Sequence, residues 1–140
     1  MKKLLIGLVG GRPGMRAEIS DTLVQDGHAQ LAAWGDHDGY GEHTRDMRLA
    51  GVLEGVGQLP GGGLIVTNVD SDREAQRIRR AGGQLWHIMG GQPHGFVAIL
   101  PGEPLVSLCR DPQRPHWRTP LQALSELQLS RRRLPKTIGA

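Results

Sequence analysis

The segment from Leu64 to Met89 constrains the fold more than any other. Leu64-Ile65-Val66-Thr67-Asn68-Val69 is a short, β-branched apolar run of the kind that forms a buried strand. Ser71-x-x-Glu74 follows it, and this spacing is that of a capping box: the serine hydroxyl accepts from the amide three residues on, and the glutamate reaches back. The predicted helix covers 71–81 and stops at Gly82-Gly83, after which 84–89 is a second strand. Strand, helix and strand with tight joints make a βαβ unit, which requires a parallel sheet.

The N-terminal third repeats the plan. Residues 4–9 are an apolar strand, Gly10-Gly11-Arg12-Pro13-Gly14 is a turn, and Met15, Ile19 and Leu23 recur at helical spacing over 14–26. A short strand is expected within 28–33. A helix is expected over 44–53, with Met47, Ala50 and Val52 or Leu53 facing inward. Residues 96–100 and 105–108 are expected to pair as a hairpin across Pro101-Gly102-Glu103-Pro104. Thr119-Pro120-Leu121-Gln122 is a second capping-box pattern, opening a short terminal helix that Arg131-Arg132-Arg133 closes. The expected fold class is α/β, a three-layer sandwich around a short, mainly parallel sheet of three to five strands. Strands 4–9, 64–69 and 84–89 form its centre as neighbours. The expected organisation is a single domain over 1–130 and a basic flexible tail over 131–140.

Composition removes several function classes. The chain of 140 residues is 38% hydrophobic and 4% aromatic. That is enough for a modest core and too few rings for a base-stacking platform. Its apolar runs are far below the roughly 18 residues of a membrane span, so no membrane partner is expected. The opening MKKLLIGLVGG is too short and glycine-broken to read as a signal peptide, and a cytoplasmic location is expected. The lone Cys109 excludes an internal disulfide framework. Residues 1–100 hold 10 basic and 11 acidic residues, whereas 101–140 hold 7 and 3, so the net charge of +3 resides in the tail.

The turn at 10–14 is the first candidate site. Backbone amides at a helix N-terminus carry partial positive charge and favour an anion. Gly10, Gly11, Arg12, Gly14 and Arg16 are the candidate phosphate-binding residues. A complete phosphate loop reads G-x-x-x-x-G-K-[ST]. This turn is one residue short, Met15 occupies the lysine position, and neither Arg16 nor Ala17 has a hydroxyl.

LIGLVGGRPG at 5–14, with LIVTNVDSDREAQRIRRAGGQLWHI at 64–88, resembles the phage deoxynucleoside monophosphate kinases. That resemblance implies a P-loop-kinase-like fold, an infected-host cytoplasmic setting, and ATP and Mg²⁺ as cofactors. It also implies a nucleotide site near Asn68, Asp70, Arg73 and Arg77. The family's loop Lys and Ser/Thr have no counterparts here. Its strand-end Asp falls on Asn68 and its Arg on Asp70. Phosphoryl transfer depends on charge stabilisation that those groups supply. The resulting expectation is a non-catalytic relative that binds a nucleotide or another phosphate-bearing ligand, or a protein partner. An active kinase using ATP and a basic adaptor for nucleic acid or protein remain the alternatives.

Other clusters have simpler readings. Asp36, His37, Asp38, Glu42 and His43 are metal-ligand types, yet they match no recognised spacing and read first as a polar surface loop. His87 and His94 bracket Gly90-Gly91, and His87 reads first as a hydrogen-bonded core or edge residue. Arg73, Arg77 and Arg80 share a helix face, which is ordinarily solvated. Arg131, Arg132, Arg133 and Lys136 are either a helix-end charge cluster or a nucleic-acid contact.

Overall fold

A computed structural model describes residues 3–35, 41–89, 97–108 and 113–138, with 132–138 as backbone. The elements are β1 (Leu4–Val9), α1 (Pro13–Asp26), β2 (Leu31–Trp34), α2 (Glu42–Glu54), a 3-10 turn (Val56–Gln58), β3 (Gly63–Val69), α3 (Asp72–Arg80), β4 (Gln84–Ile88), β5 (Leu105–Val106) and α4 (Pro120–Ile138). Among the described residues the sheet has five strands in the order β2-β3-β1-β4-β5. Every pairing is parallel, with Ile6 opposite Ile65 on one side and Leu8 opposite Trp86 on the other. The three expected central strands are therefore adjacent, and the fold is α/β.

Handedness explains the layers. The step from β1 to β2 runs one way along the sheet, and the steps β2 to β3 to β4 run the other. Right-handed crossovers then require α1 on one face and α2 and α3 on the opposite face. The two apolar clusters follow that division. Leu4, Ile6 and Leu8 of β1 pack with Ile19 and Leu23 of α1 and with Ala123, Leu124 and Leu127 of α4. Leu5 and Val9 face Leu49 of α2 and Ala75 and Ile78 of α3. Alternation along β1 thus divides one strand between two cores.

Three expectations change. The hairpin across 101–104 is absent: residues 97–100 form no strand, Phe96 lies outside the described residues, and β5 pairs parallel with β4. Glu103 is the cause. Its carboxylate takes the Leu100 amide at 2.9 Å, pairs with both Nε and Nη2 of Arg79 on α3, and lies 2.8 Å from His87 Nε2 on β4. The segment is held by side chains rather than by strand pairing. In α2, Met47 is 55% exposed, while Arg45, Asp46 and Leu49 are buried. Val52 and Leu53 pack against the core beside Leu49 as expected, while ion pairs, which apolar periodicity does not register, add Arg45 and Asp46 to the inward face. The terminal helix also continues past the arginine run, its backbone remaining helical to Ile138.

The capping box at α4 forms in full and the one at α3 in half. Gln122 and Thr119 exchange reciprocal side-chain-to-amide bonds of 3.3 and 3.0 Å. At α3 the Glu74 amide donates to Ser71 Oγ at 3.2 Å, but the Glu74 carboxylate accepts from the Ser71 hydroxyl and turns to Arg45.

Candidate functional site

The loops after β1 and β3 leave the sheet toward opposite faces. Neighbouring strands whose connections diverge in this way open a crevice at their carboxyl ends, the usual ligand position in open α/β sheets. The Gly10–Arg16 turn occupies one side of it. Gly10 and Gly11 have φ of +79° and +70°, a conformation that side chains with a Cβ rarely adopt. Arg12 is the N-cap of α1, with extended backbone and no side-chain cap, and the first turn holds no acidic residue. Arg12 therefore offers those amides no side-chain acceptor, and its exposed cation sits at the positive end of the helix dipole. An anion there relieves both.

Two side chains of the turn point elsewhere. Met15 is half-buried and packs against the α1–α4 core. Arg16 is buried, and its Nη1 donates to the carbonyl oxygens of Gly10 at 2.9 Å and Gly11 at 3.1 Å. The guanidinium fastens the turn from within.

Across the crevice, Asn68 is half-buried at the end of β3 and Asp70 is exposed beyond it. Arg45, reaching from α2, joins them. Its Nη2 lies 3.1 Å from the Asn68 carbonyl, 3.1 Å from Asp70 Oδ2 and 3.3 Å from Glu74 Oε2. Burial pushes the Glu74 carboxyl above its usual range, against the pull of Arg45 and Ser71. Arg77 forms a two-pronged pair with the buried Asp46 of α2, and that hydrogen bonding holds Asp46 below its usual 3.8. Arg73 and Arg80 are exposed. The arginine face of α3 therefore splits, with Arg77 fastening α3 to α2 rather than facing the crevice. His87 is buried against Glu103, as a hydrogen-bonded core residue.

A cleft of about 510 Å³ adjoins the turn on the α1 face. Its walls are Pro13, Arg16, Ala17, Ser20 and Asp21 of α1, Ala33, Trp34 and Gly35 at the end of β2, and Thr67 and Asn68 of β3. It brings together Arg16 and Asn68 among the expected site residues. Ser20, Trp34 and Thr67 carried no sequence signal, because they meet only when three distant segments assemble. Arg45 and Glu74 had no ligand motif, and Glu74 was legible solely as a cap.

Asp36, His37, Asp38, His94 and Cys109 lie outside the described residues, and Glu42 and His43 are exposed at the start of α2. Among the described residues no three His, Cys, Asp or Glu side chains cluster as metal ligands. No described helix is long and apolar enough to cross a membrane. Comparisons with protein-family models, curated proteins and solved structures give no match.

Proposed function

We propose that the protein is a nucleotide-kinase-like binding domain that takes a phosphate-bearing ligand at the Gly10–Arg16 turn and does not transfer phosphoryl groups. The observation that carries this reading is the uncapped N-terminus of α1, entered through two left-handed glycines at the crevice between β1 and β3. The parallel adjacency of 4–9 with 64–69 and 84–89 supports the likeness to phage deoxynucleoside monophosphate kinases.

The turn does not fit Mg²⁺–ATP chemistry. Residues 10–17 hold no hydroxyl to ligate the metal. Met15 is turned into the core, and the Arg16 guanidinium is bonded to the turn's own carbonyls. Neither supplies the mobile positive charge that a transferring phosphoryl group requires. The same backbone still offers a static anion site.

A thermal-shift panel of deoxynucleoside mono- and triphosphates, with and without Mg²⁺, tests the proposal. A ligand at 100 times its Kd adds about 2.7 kcal/mol to the folded state. The expected result is stabilisation by phosphorylated ligands, independent of Mg²⁺, without product. Turnover near the 1–100 s⁻¹ of kinases, with ATP and any deoxynucleoside monophosphate, overturns the non-catalytic part. A flat panel overturns ligand binding and leaves the adaptor alternative.

A further inference from the structure

The register of the sheet sets a carboxylate beside the Gly10–Arg16 turn. Val9 pairs with Val69, so Gly10 and Asp70 leave adjacent parallel strands at matching positions. Neighbouring strands lie about 4.8 Å apart. Asp70 is exposed at the crevice, and its Oδ2 is held 3.1 Å from Arg45 Nη2. Like charges repel, so a carboxylate in this place works against an anion on the turn.

Most of the cations nearby are already engaged. Arg45 also holds Glu74 Oε2 at 3.3 Å and the Asn68 carbonyl at 3.1 Å. Arg16 holds the carbonyl oxygens of Gly10 and Gly11. Asp72 and Arg73, both exposed at the start of α3, are opposite in sign. On the far side of β1, His87 of β4 is turned to Glu103. The turn itself contributes its backbone amides and one exposed guanidinium, that of Arg12. With Asp70 beside them, these groups suit one negative charge and disfavour two. A phosphomonoester is doubly charged above its second pKa of about 6, whereas a phosphodiester stays singly charged.

We infer that the turn at Gly10–Gly11 selects a singly charged phosphodiester over a doubly charged phosphomonoester, and that the Asp70 carboxylate is the specificity-determining group. The inference rests on the reading of that turn as a phosphate site and names the class of ligand. The selection works by a repulsive group set against the competitor. It agrees with a turn that transfers no phosphoryl group, since a diester has no terminal phosphoryl group to give.

Amide NMR titration of the full chain with methyl phosphate and with dimethyl phosphate, followed at Gly10–Arg16 from pH 5 to pH 8, tests it. Dimethyl phosphate keeps one charge over that range. Its curve therefore records every titration of the protein's own groups, and the ratio of the two affinities isolates the charge of the ligand. The expected ratio is within about two-fold at pH 5 and at least about ten-fold in favour of the diester at pH 8, the effect of one pKa unit. Asp70→Asn is expected to keep diester binding and to reduce the ratio at pH 8 to about three-fold or less. The wild-type ratio decides the matter if that variant fails to fold. A ratio that does not change with pH, or an Asp70→Asn protein with the wild-type ratio, overturns this inference alone. Signals that neither ester moves at any pH sink the phosphate reading itself.

Discussion

Arg16 fastens the turn between β1 and α1 from within. Its two bonds to the carbonyls of Gly10 and Gly11 are charge-assisted and buried. Hydrogen bonds to charged groups contribute about 1.5–3 kcal/mol each to stability, and bonds sharing one donor overlap. Arg16→Met is therefore expected to destabilise the protein by about 2–3 kcal/mol, read as a lower denaturation midpoint at constant m. A variant within 0.5 kcal/mol of wild type, about the range of an ordinary surface change, means that the guanidinium does not fasten the turn. The buried carboxylates set the pH response at the same scale. Asp46 has a folded pKa below its usual 3.8, so its contribution is complete above that value and is lost as the pH falls through the folded value. Glu103 acts in the same direction: burial raises it, but Arg79, the Leu100 amide and His87 outweigh burial and hold it below 4.5. Glu74 acts oppositely, because its raised pKa favours the fold most at acid pH and less as pH rises through the folded value. Asp46→Asn is expected to be less stable than wild type at pH 7 and to lose less stability between pH 5 and pH 3. Urea midpoints at the three pH values check it, and parallel losses in the two proteins count against the Asp46–Arg77 pair.

At the scale of elements, the joint between β1 and β3 positions the site, and it depends on Gly63. A Cβ there would lie 2.1 Å from the Leu4 carbonyl oxygen and 2.8 Å from the Leu4 backbone carbon and nitrogen. Backbone cannot yield as a side-chain tip can. Gly63→Ala is expected to cost at least the upper part of the ~1–3 kcal/mol of ordinary overpacking and to expose the β1–β3 amides to hydrogen exchange. Unchanged protection of Leu5 and Ile65 would show that the pairing tolerates the methyl group. The cap of α4 is a milder case. Thr119→Ala removes one of two reciprocal bonds and is expected to cost about 0.5–2 kcal/mol, measured by thermal unfolding.

For the whole molecule, buried α4 side chains stop at Leu127 among the described residues, although the helical backbone reaches Ile138. Residues 131–140 follow the apolar positions Leu121, Leu124 and Leu127 that the sequence assigns to the terminal helix, and deleting them is expected to leave the Tm nearly unchanged. If the basic end contacts nucleic acid, full-length protein retards duplex DNA and the truncated protein does not. Arg131, Arg132, Arg133 and Lys136 then allow a log–log salt slope no steeper than about −3.6, at about −0.9 for each phosphate neutralised. Equal retardation by both proteins removes the basic end as the contact. At the same scale, the crevice is fixed by the reversal of strand order between β1 and β3, at the middle of the sheet.

Local chemistry determined much of this protein. The apolar runs at 4–9, 64–69 and 84–88, the two capping boxes and the glycine stops are signals within a few residues of one another, so β1, β3, β4, α1 and α3 were legible without a third dimension. The parallel order followed from the βαβ spacing. Tertiary structure alone decided the charged part of the inward face of α2, because Arg45 and Asp46 are buried by partners from Asn68 to Arg77, whereas Val52 and Leu53 followed apolar periodicity. It also decided the direction of β5, through a carboxylate at 103 that meets Arg79 and His87. The cleft belongs to the same class, since residues 13–21, 33–35 and 67–68 contribute one wall each. Hydrophobic periodicity reports burial by apolar side chains. Burial of a charge or a hydroxyl depends on what stands opposite it in space, and along the chain that partner is tens of residues away.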